Sequence, residues 1–452
     1  MPTNLLTKIK DFYQKSKSKS NQAFIIRGAA SSFALKIVGT ALAFVTQLFT
    51  ARLLGAKGYG NYIYVMSFME VMAIIGKFGF DTASTRFVST YYGQKNWSLL
   101  RGFLRYSQQF VVVGSLMAAA SLGVTAWLFR GSLEDGLLIV FWLASLMLPL
   151  FTSLKLQETR LLALKRVFAA QLPQNILRPL VILAGLGLAI FWKIDLTTAR
   201  YMGLVLTATG IISLTSYVLW SRAIPVESKS IRPSFQSQEW WHVARATILF
   251  ASLQVVLSQS DKLMIGTLVG TTDTGLYGVA KRISSLMAFP LIAVNSILGP
   301  MIARLYAQES KQELQRVVSF GVGIVMLITS AIAICLVVGG KTLLGLFGSE
   351  FTASYGLLMI LVAGELINAL SGPVALILNM TGHHNDTIKV LGLTVMLNLV
   401  LNWFLIPQLG ASGAAIATAI SLVLWNLLMG MLVWQRLKII PLALPWLLRR
   451  NR

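Results

Sequence analysis

The chain alternates long apolar runs with short polar segments, and the apolar runs repeatedly exceed about 18 residues. A helix of that length crosses roughly 30 Å of hydrocarbon at about 1.5 Å per residue. The pattern therefore predicts an all-α polytopic membrane protein. Its twelve predicted spans begin near Gly28, Tyr62, Ser107, Gly136, Leu177, Arg200, Ala244, Gly275, Val317, Ser354, Thr387 and Ala411.

A ten-residue stretch occurs twice, at residues 53–62 and 268–277. The copies share a leucine, two glycines and a tyrosine in register, and each copy joins two apolar runs. The offset of 215 residues is nearly half of the 452-residue chain. Such internal repetition predicts two related halves, a layout typical of transporters that move around a central site.

The repeat and the polarity of the connecting segments predict two six-helix bundles. A serine- and proline-containing polar stretch between spans six and seven is interpreted as the linker between them. The predicted organisation is a basic cytoplasmic segment at 1–27, a bundle at 28–220, a cytoplasmic linker at 221–243, a second bundle at 244–434 and a basic cytoplasmic tail at 435–452.

The composition agrees with a membrane protein, since 56% of residues are hydrophobic and 12% are charged. The net charge of +23 raises the question of a nucleic-acid partner. However, the predicted spans place most of the 39 Lys and Arg residues on one side, which the positive-inside rule assigns to the cytoplasm. We therefore expect a multi-pass protein of the cell (inner) membrane with both termini cytoplasmic and no nucleic-acid partner. The six external cations are Arg52, Lys57, Arg130, Lys193, Arg200 and Lys341.

Ionisable side chains inside the spans are the main candidates for function, because each costs at least about 2.5 kcal/mol to insert. In span one, Lys36 shares a helix face with Ser32, Thr40 and Gln47. Lys36 lies roughly 12 Å inside the predicted boundary. It is therefore either a cation facing a cavity or a snorkelling or paired structural lysine.

Three acids also lie within predicted spans, namely Glu70, Asp261 and Glu365. Their insertion cost favours a hydrated central cavity in which they bind a coupling ion or a structural partner. For Asn398 and Asn402, hydrogen bonding between helices is the favoured interpretation.

The basic residues within the predicted spans and at their ends outnumber the acidic ones. An excess of positive charge favours an anionic substrate such as a diphosphate. No metal site or cofactor is expected, because Cys335 is the only cysteine and His383 and His384 are adjacent in a loop. The predicted substrate-binding residues are Lys36, Arg86, Lys262, Arg52, Lys281 and Arg282.

Several motifs together resemble the polysaccharide and O-antigen flippases of the Wzx type. Residues 51–62 are similar to the first-loop signature of that family, and residues 79–86 to the segment that closes its second span. One departure is Ala56, where the family often has proline. The second half resembles the family at Asp261, Lys262, 275–282, Thr381, Gly382, Asn398, Asn402, Ile406, Pro407, Gly410 and 413–415.

The resemblance implies a member of the multidrug, oligosaccharidyl-lipid and polysaccharide exporter superfamily, with two bundles arranged as a V. It also implies a flippase that moves a polyprenyl-diphosphate-linked oligosaccharide from the inner to the outer leaflet by alternating access. The implied partners are this lipid-linked oligosaccharide, membrane lipids, and the polymerase and export machinery of cell-surface polysaccharide.

Two other functions remain open from the sequence. A cation-coupled multidrug exporter has the same fold, although its site favours acids in span one, where only Lys36 is charged. A membrane enzyme that polymerises or ligates polysaccharide needs catalytic groups at the external face. The acids available there are Glu134, Asp135, Asp195, Asp273 and Glu350, so we predict a transporter rather than an enzyme.

Overall fold

The computed structural model describes residues 3–440 except 135 and 226, with side chains from residue 35 onward except at 132, 228 and 229. The last twelve residues of the predicted basic tail lie outside the described residues, as do the side chains of the predicted N-terminal basic segment. Within the described part the regular structure is entirely helical.

Sixteen α-helices can be described. They are α1 (Thr3–Lys77), α2 (Phe80–Gly93), α3 (Trp97–Leu128), α4 (Leu137–Ala163), α5 (Val167–Leu172), α6 (Arg178–Phe191), α7 (Thr198–Ala223), α8 (Glu227–Ser230), α9 (Ser237–Leu268), α10 (Thr271–Ser284), α11 (Phe289–Ala307), α12 (Lys311–Phe347), α13 (Tyr355–Ser371), α14 (Val374–Met380), α15 (His384–Leu409) and α16 (Ala411–Leu437). Short 3₁₀ turns lie at Arg130–Ser132, Ser285–Ala288 and Ser349–Ser354, and a π-helical turn lies at Pro173–Leu177.

Eleven helical segments of the described chain are long and apolar enough to cross a membrane. The first of them, Leu35–Lys77, has 43 residues, about twice the length that a bilayer requires. It is interrupted at Gly55, whose φ of 69° and ψ of 175° lie outside the helical region and favour glycine. The two sides of Gly55 account for the first two predicted spans, and the other ten segments correspond to the remaining ten.

Each half of the chain builds apolar cores of its own. In the first half, α4 packs against both α3 and α7, and Met147, Leu148 and Met202 are fully buried there. In the second half, α16 packs against α13 and α15, with Met429 and Val433 fully buried near its end. These interiors exclude water around helices whose backbone groups are already hydrogen-bonded along the chain.

The repeated segments of the two halves pack against each other. Gly55 and Gly270 are equivalent in the repeat, and each has a positive φ immediately before a helix starts, in the second part of α1 and in α10. These two helices then cross at Gly60 and Gly275, where the backbones approach too closely for any side chain. The crossing joins the two halves of the chain.

Candidate functional site: a cationic central cavity

A cavity of about 700 Å³ lies between the two halves. Its walls are both parts of α1, the segment from α5 to α6, and helices α9 and α10, with Glu158 of α4 and Tyr201 of α7. The volume is in the range of pockets that hold a small molecule or a headgroup. The walls therefore combine elements from both copies of the repeat.

The cavity wall carries more positive than negative side chains. Glu158 is already ion-paired with Lys155 at 3.0 Å, and Glu70 accepts a hydrogen bond from the Gln259 side chain. The wall is therefore suited to an anion, because cations in a confined site of low dielectric constant attract negative charge strongly. The five basic residues among the described lining are Lys36, Arg178, Lys262, Lys281 and Arg282, and the two acidic ones are Glu70 and Glu158.

Arg178 belongs to the cavity although the sequence reasoning missed it. It follows the π-helical turn Pro173–Leu177, and its Nε is a buried donor without a partner, while the Oε1 atom of Gln174 is a buried acceptor without one. The spacing of Gln171, Gln174 and Arg178 places all three on one helix face, and all three line the cavity. That polar stripe, interspersed with prolines at 173 and 179, is the sequence signal that could have indicated this wall.

Tyrosines and amides supply the rest of the polar lining. The rings of Tyr62 and Tyr201 meet edge to face with centroids 4.9 Å apart, and Thr50 donates a hydrogen bond of 2.9 Å to the Tyr201 hydroxyl. The side-chain oxygens of Gln47 and Gln259 are buried without partners. Aromatic faces and free amide oxygens are suited to sugar rings and their hydroxyls.

The structure brings four of the six predicted substrate contacts to one cavity, namely Lys36, Lys262, Lys281 and Arg282. The other two lie elsewhere. Arg52 is exposed in the last turn of α1 before Gly55, and Arg86 is exposed on α2 with its guanidinium 5.7 Å from the ring of Phe87.

Of the predicted acids, Glu70 lines the cavity, whereas Asp261 lies in a separate buried network, with 4% of its surface exposed. Its Oδ2 accepts hydrogen bonds from the hydroxyls of Tyr277 and Thr418, both at 2.6 Å, and its Oδ1 accepts one from the Asn402 amide at 2.8 Å. Within the described chain no basic side chain forms a salt bridge with Asp261. Asn402 Oδ1 is buried without a partner, so the network holds a buried carboxylate beside a free carbonyl oxygen.

Glu365 is half-buried on α13 and accepts a hydrogen bond of 3.3 Å from Asn368, which in turn accepts one from Asn426. It does not line the central cavity.

Two of the acids considered for external catalysis contact the start of the second part of α1, just after Gly55. Glu350 accepts a hydrogen bond of 2.8 Å from the backbone N–H of Ala56, and Glu134 forms an ion pair of 3.1 Å with Lys57. Asp135 lies outside the described residues.

The overall fold is that of known transporters. The structure is similar to the inward-facing conformation of a multidrug resistance MATE family transporter of the MOP superfamily, with a TM-score of 0.72, 13% identity, and coverage of 91% of this chain and 98% of that one. It is also similar to the inward closed conformation of the lipid II flippase MurJ, with a TM-score of 0.64, 13% identity, and coverage of 90% and 87%. The fold and the cavity define the class: a polytopic membrane protein with the transporter fold of the MOP superfamily.

The sequence comparisons narrow this class. The profile of the family described as "Polysaccharide biosynthesis protein" matches residues 25–306, and that of MatE matches residues 246–404. A protein of Haloferax volcanii named as a probable low-salt glycan biosynthesis flippase, Agl15, is 23% identical over 406 residues, which cover 88% of this chain and 81% of that protein. The chain therefore belongs to the polysaccharide biosynthesis protein family, and the predicted membership of the oligosaccharide flippases in this superfamily is confirmed.

Proposed function

We propose that this protein is a flippase that moves a polyprenyl-diphosphate-linked oligosaccharide from the inner to the outer leaflet for cell-surface polysaccharide biosynthesis. The observation that carries the proposal is the charge of the central cavity, whose described lining contains five basic side chains and two acidic ones. A relative named as a glycan biosynthesis flippase supports the same substrate class.

The polar cavity would hold the diphosphate and the first sugars, while the lipid tail stays in the bilayer. Arg178 and Arg282 each have a buried Nε without a partner, and a guanidinium binds phosphate oxygens through directed, charge-assisted hydrogen bonds. Lys36 is exposed at the wall, where it would act as a point charge that meets the headgroup first.

Transport would proceed by alternating access between the bundles at 28–220 and 244–434, which are arranged as a V. Both termini would face the cytoplasm of a cell (inner) membrane, as the distribution of Lys and Arg indicates. The polymerase and export machinery of polysaccharide are the proposed downstream partners, because a flipped oligosaccharide must be consumed on the far side.

Asp261 would provide the coupling site. A buried carboxylate next to a free amide oxygen is suited to a proton or a small monovalent cation, and its partners Tyr277, Asn402 and Thr418 are all neutral. Cation binding there would favour one relative position of α9, α15 and α16, the helices that carry Asp261, Asn402 and Thr418.

The test is reconstitution of the purified protein into proteoliposomes with a fluorescent polyprenyl-diphosphate oligosaccharide. The headgroup that crosses is then measured with a membrane-impermeant quencher, and fluorescent phosphatidylcholine serves as the control for unspecific scrambling. We expect the wild type to flip the glycolipid but not phosphatidylcholine, and Lys36→Ala to abolish flipping while the protein remains folded. Full activity of Lys36→Ala would remove Lys36 from the site, and equal flipping of both lipids would overturn the proposed function.

A multidrug exporter is the second candidate, because the MatE profile matches residues 246–404. The excess of cations in the cavity disfavours cationic drugs, since like charges in a confined site repel. Efflux of a cationic dye by the same proteoliposomes, without flipping of the glycolipid, would establish this alternative instead.

A further inference from the structure

A second cavity, of about 510 Å³, lies within the first half of the chain and shares no lining residue with the central one. Gln157 and Arg160 of α4 form its floor, since α4 packs against both α3 and α7, and these two helices supply the walls. Arg105 of α3 also lines it, so two of the described lining residues are basic and none is acidic.

Arg160 is buried in this floor, with only 3% of its surface exposed. Its guanidinium donates hydrogen bonds to the Oε1 of Gln108 at 3.0 Å, the carbonyl oxygen of Leu104 at 3.1 Å and the Oγ of Ser107 at 2.9 Å. The centre of the Trp220 ring lies 5.6 Å from the guanidinium carbon. Every one of these contacts is neutral, and in the described chain no carboxylate is within salt-bridge distance of Arg160.

Two polar groups in the floor remain unsatisfied. The Nε of Arg160 is a buried donor without a partner, and the Oε1 of Gln157 is a buried acceptor without one. A buried cation with neutral partners is costly unless an anion joins it, because its charge has lost the solvation of water. The floor therefore offers a positive charge, a free donor and a free acceptor in one place.

The cavity lies close to the ends of its helices. Arg160 is three residues from the end of α4, and Trp220 is three residues from the end of α7. The 32 residues of α3 span about 48 Å, which exceeds the hydrocarbon core by roughly 18 Å. Residues near such helix ends lie at the level of lipid headgroups rather than at the centre of the bilayer.

Exposed apolar side chains continue from the rim of the cavity along both walls. On α3, Val112 and Leu116 follow Arg105 at spacings that keep them on its face, and both are exposed. On α7, Leu214 lies about one turn closer to the middle of the helix than Tyr217, and both are more than half exposed. A charged floor with two apolar stripes leading away from it matches the shape of a lipid with an anionic headgroup.

We propose that this cavity binds an anionic phospholipid, with its phosphate on Arg160 and Arg105 and its acyl chains along α3 and α7. A hydroxyl of the headgroup donates to the Oε1 of Gln157, which favours a headgroup such as phosphoglycerol. The site is separate from the transport cavity, so the bound lipid is a structural ligand of the first half and not the transported one.

The test compares three additives on the purified full-length protein in detergent micelles: phosphatidylglycerol, phosphatidylcholine with the same acyl chains, and inorganic phosphate. The Tm is followed as each is titrated, because a ligand that binds the native state raises it. We expect phosphatidylglycerol to raise the Tm and the other two to leave it nearly unchanged. Arg160→Met should weaken the apparent affinity for phosphatidylglycerol by roughly tenfold or more, as the loss of charge-assisted hydrogen bonds implies.

Arg222→Gln is the matched control, since Arg222 is an exposed arginine in the last turn of α7 that does not line the cavity. It should retain the wild-type response. Equal stabilisation by phosphatidylcholine, an unchanged response of Arg160→Met, or a rise with inorganic phosphate that matches phosphatidylglycerol would each overturn the proposal.

Should Arg160→Met fail to fold, Arg105→Gln keeps the test decisive, because Arg105 is exposed at the rim. One cation near a headgroup contributes about 1 kcal/mol, so the apparent affinity for phosphatidylglycerol should fall by roughly fivefold. An unchanged affinity in Arg105→Gln would contradict the placement of the phosphate at this rim.

Discussion

Gly60 and Gly275 pack backbone against backbone in a nearly symmetric contact. A Cβ atom on Gly60 would lie 1.7 Å from the carbonyl oxygen of Thr271, and one on Gly275 would lie 2.1 Å from the carbonyl oxygen of Ala56. Ala56 and Thr271 are themselves equivalent positions of the repeat. The two halves therefore meet through the same short motif, in which each glycine packs against a backbone carbonyl group of the other copy.

This contact predicts that alanine is poorly tolerated at either glycine. Gly60→Ala or Gly275→Ala would force the second part of α1 away from α10, because backbone atoms cannot yield as a flexible side chain does. We expect each substitution to destabilise the protein by about 1–3 kcal/mol, the usual cost of overpacking. Thermal unfolding of the purified variants measures this.

The control is Gly203→Ala on α7, where no atom lies within 4 Å of the added Cβ. Alanine there should stabilise the helix by up to about 1 kcal/mol. The double variant of Gly60 and Gly275 should cost less than the two single ones together, since both relieve the same contact. Tm values of Gly60→Ala and Gly275→Ala equal to that of the wild type would contradict the close approach.

The start of the helix after Gly55 depends on a distant side chain. Glu350 accepts a hydrogen bond from the N–H of Ala56 at 2.8 Å, which satisfies one of the free donors at that helix start. Glu350→Ala should therefore cost about 1 kcal/mol, the usual loss of a capping side chain. Lys57→Ala is the comparison, because the ion pair of Lys57 with Glu134 is largely exposed and such pairs contribute between about 0 and 1 kcal/mol.

Urea unfolding of both variants separates the two contributions. The free energy of unfolding should decrease more in Glu350→Ala than in Lys57→Ala. Added salt should make the decrease in Lys57→Ala smaller still, because it screens the ion pair. A Lys57→Ala variant that is less stable than Glu350→Ala would show that the surface ion pair, and not the cap, stabilises the start of the second part of α1.

The span pattern and the repeat could be predicted because both are visible in the order of the residues alone, without any tertiary contact. Apolar length is readable residue by residue, and Gly55, Gly60 and their counterparts Gly270 and Gly275 are identical in both copies. The packing of Gly60 against Gly275 was not predictable, since nothing in the sequence of one copy indicates that it packs against the other copy.

The site was only partly predictable, because the rotation of each helix is set by tertiary packing. Lys36, Lys262, Lys281 and Arg282 were predicted to line the cavity and do so, while Arg86 is exposed on α2 and does not line it. The copies also differ in chemistry at equivalent positions. Tyr62 lines the cavity, whereas its counterpart Tyr277 donates to Asp261, whose own counterpart in the first half is Thr46.

Arg178 provides a direct test of the cavity as the transport site. Arg178→Gln removes the charge but keeps a polar side chain of similar reach, and we expect substrate affinity to fall roughly ten- to hundredfold, as for the loss of a hydrogen bond to a charged group. Arg178→Lys should recover part of this, since it restores the charge without the guanidinium geometry. The measurement is the concentration dependence of glycolipid flipping in proteoliposomes.

Arg86→Gln is the control for Arg178→Gln, because Arg86 is exposed on α2 outside the cavity. Flipping by Arg86→Gln should match the wild type. The opposite pattern, with Arg86→Gln inactive and Arg178→Gln active, would place the substrate outside the central cavity.

Asp261→Asn separates a coupling role from a structural one. The substituted amide retains an oxygen that accepts from Tyr277 and Thr418, and its N–H group can donate to the free Oδ1 of Asn402 once that amide rotates. The fold should therefore persist, with a small change in Tm, while the charge that attracts a proton or cation is lost. Flipping in the wild type should respond to an imposed proton or sodium gradient, and in Asp261→Asn it should no longer do so.

Glu365→Gln is the matched control, because Glu365 is the other acid of this half that was predicted for coupling and it accepts one long hydrogen bond from Asn368. A gradient response that survives in Asp261→Asn but disappears in Glu365→Gln would move the coupling site to α13, and a wild type indifferent to both gradients would exclude ion coupling at Asp261.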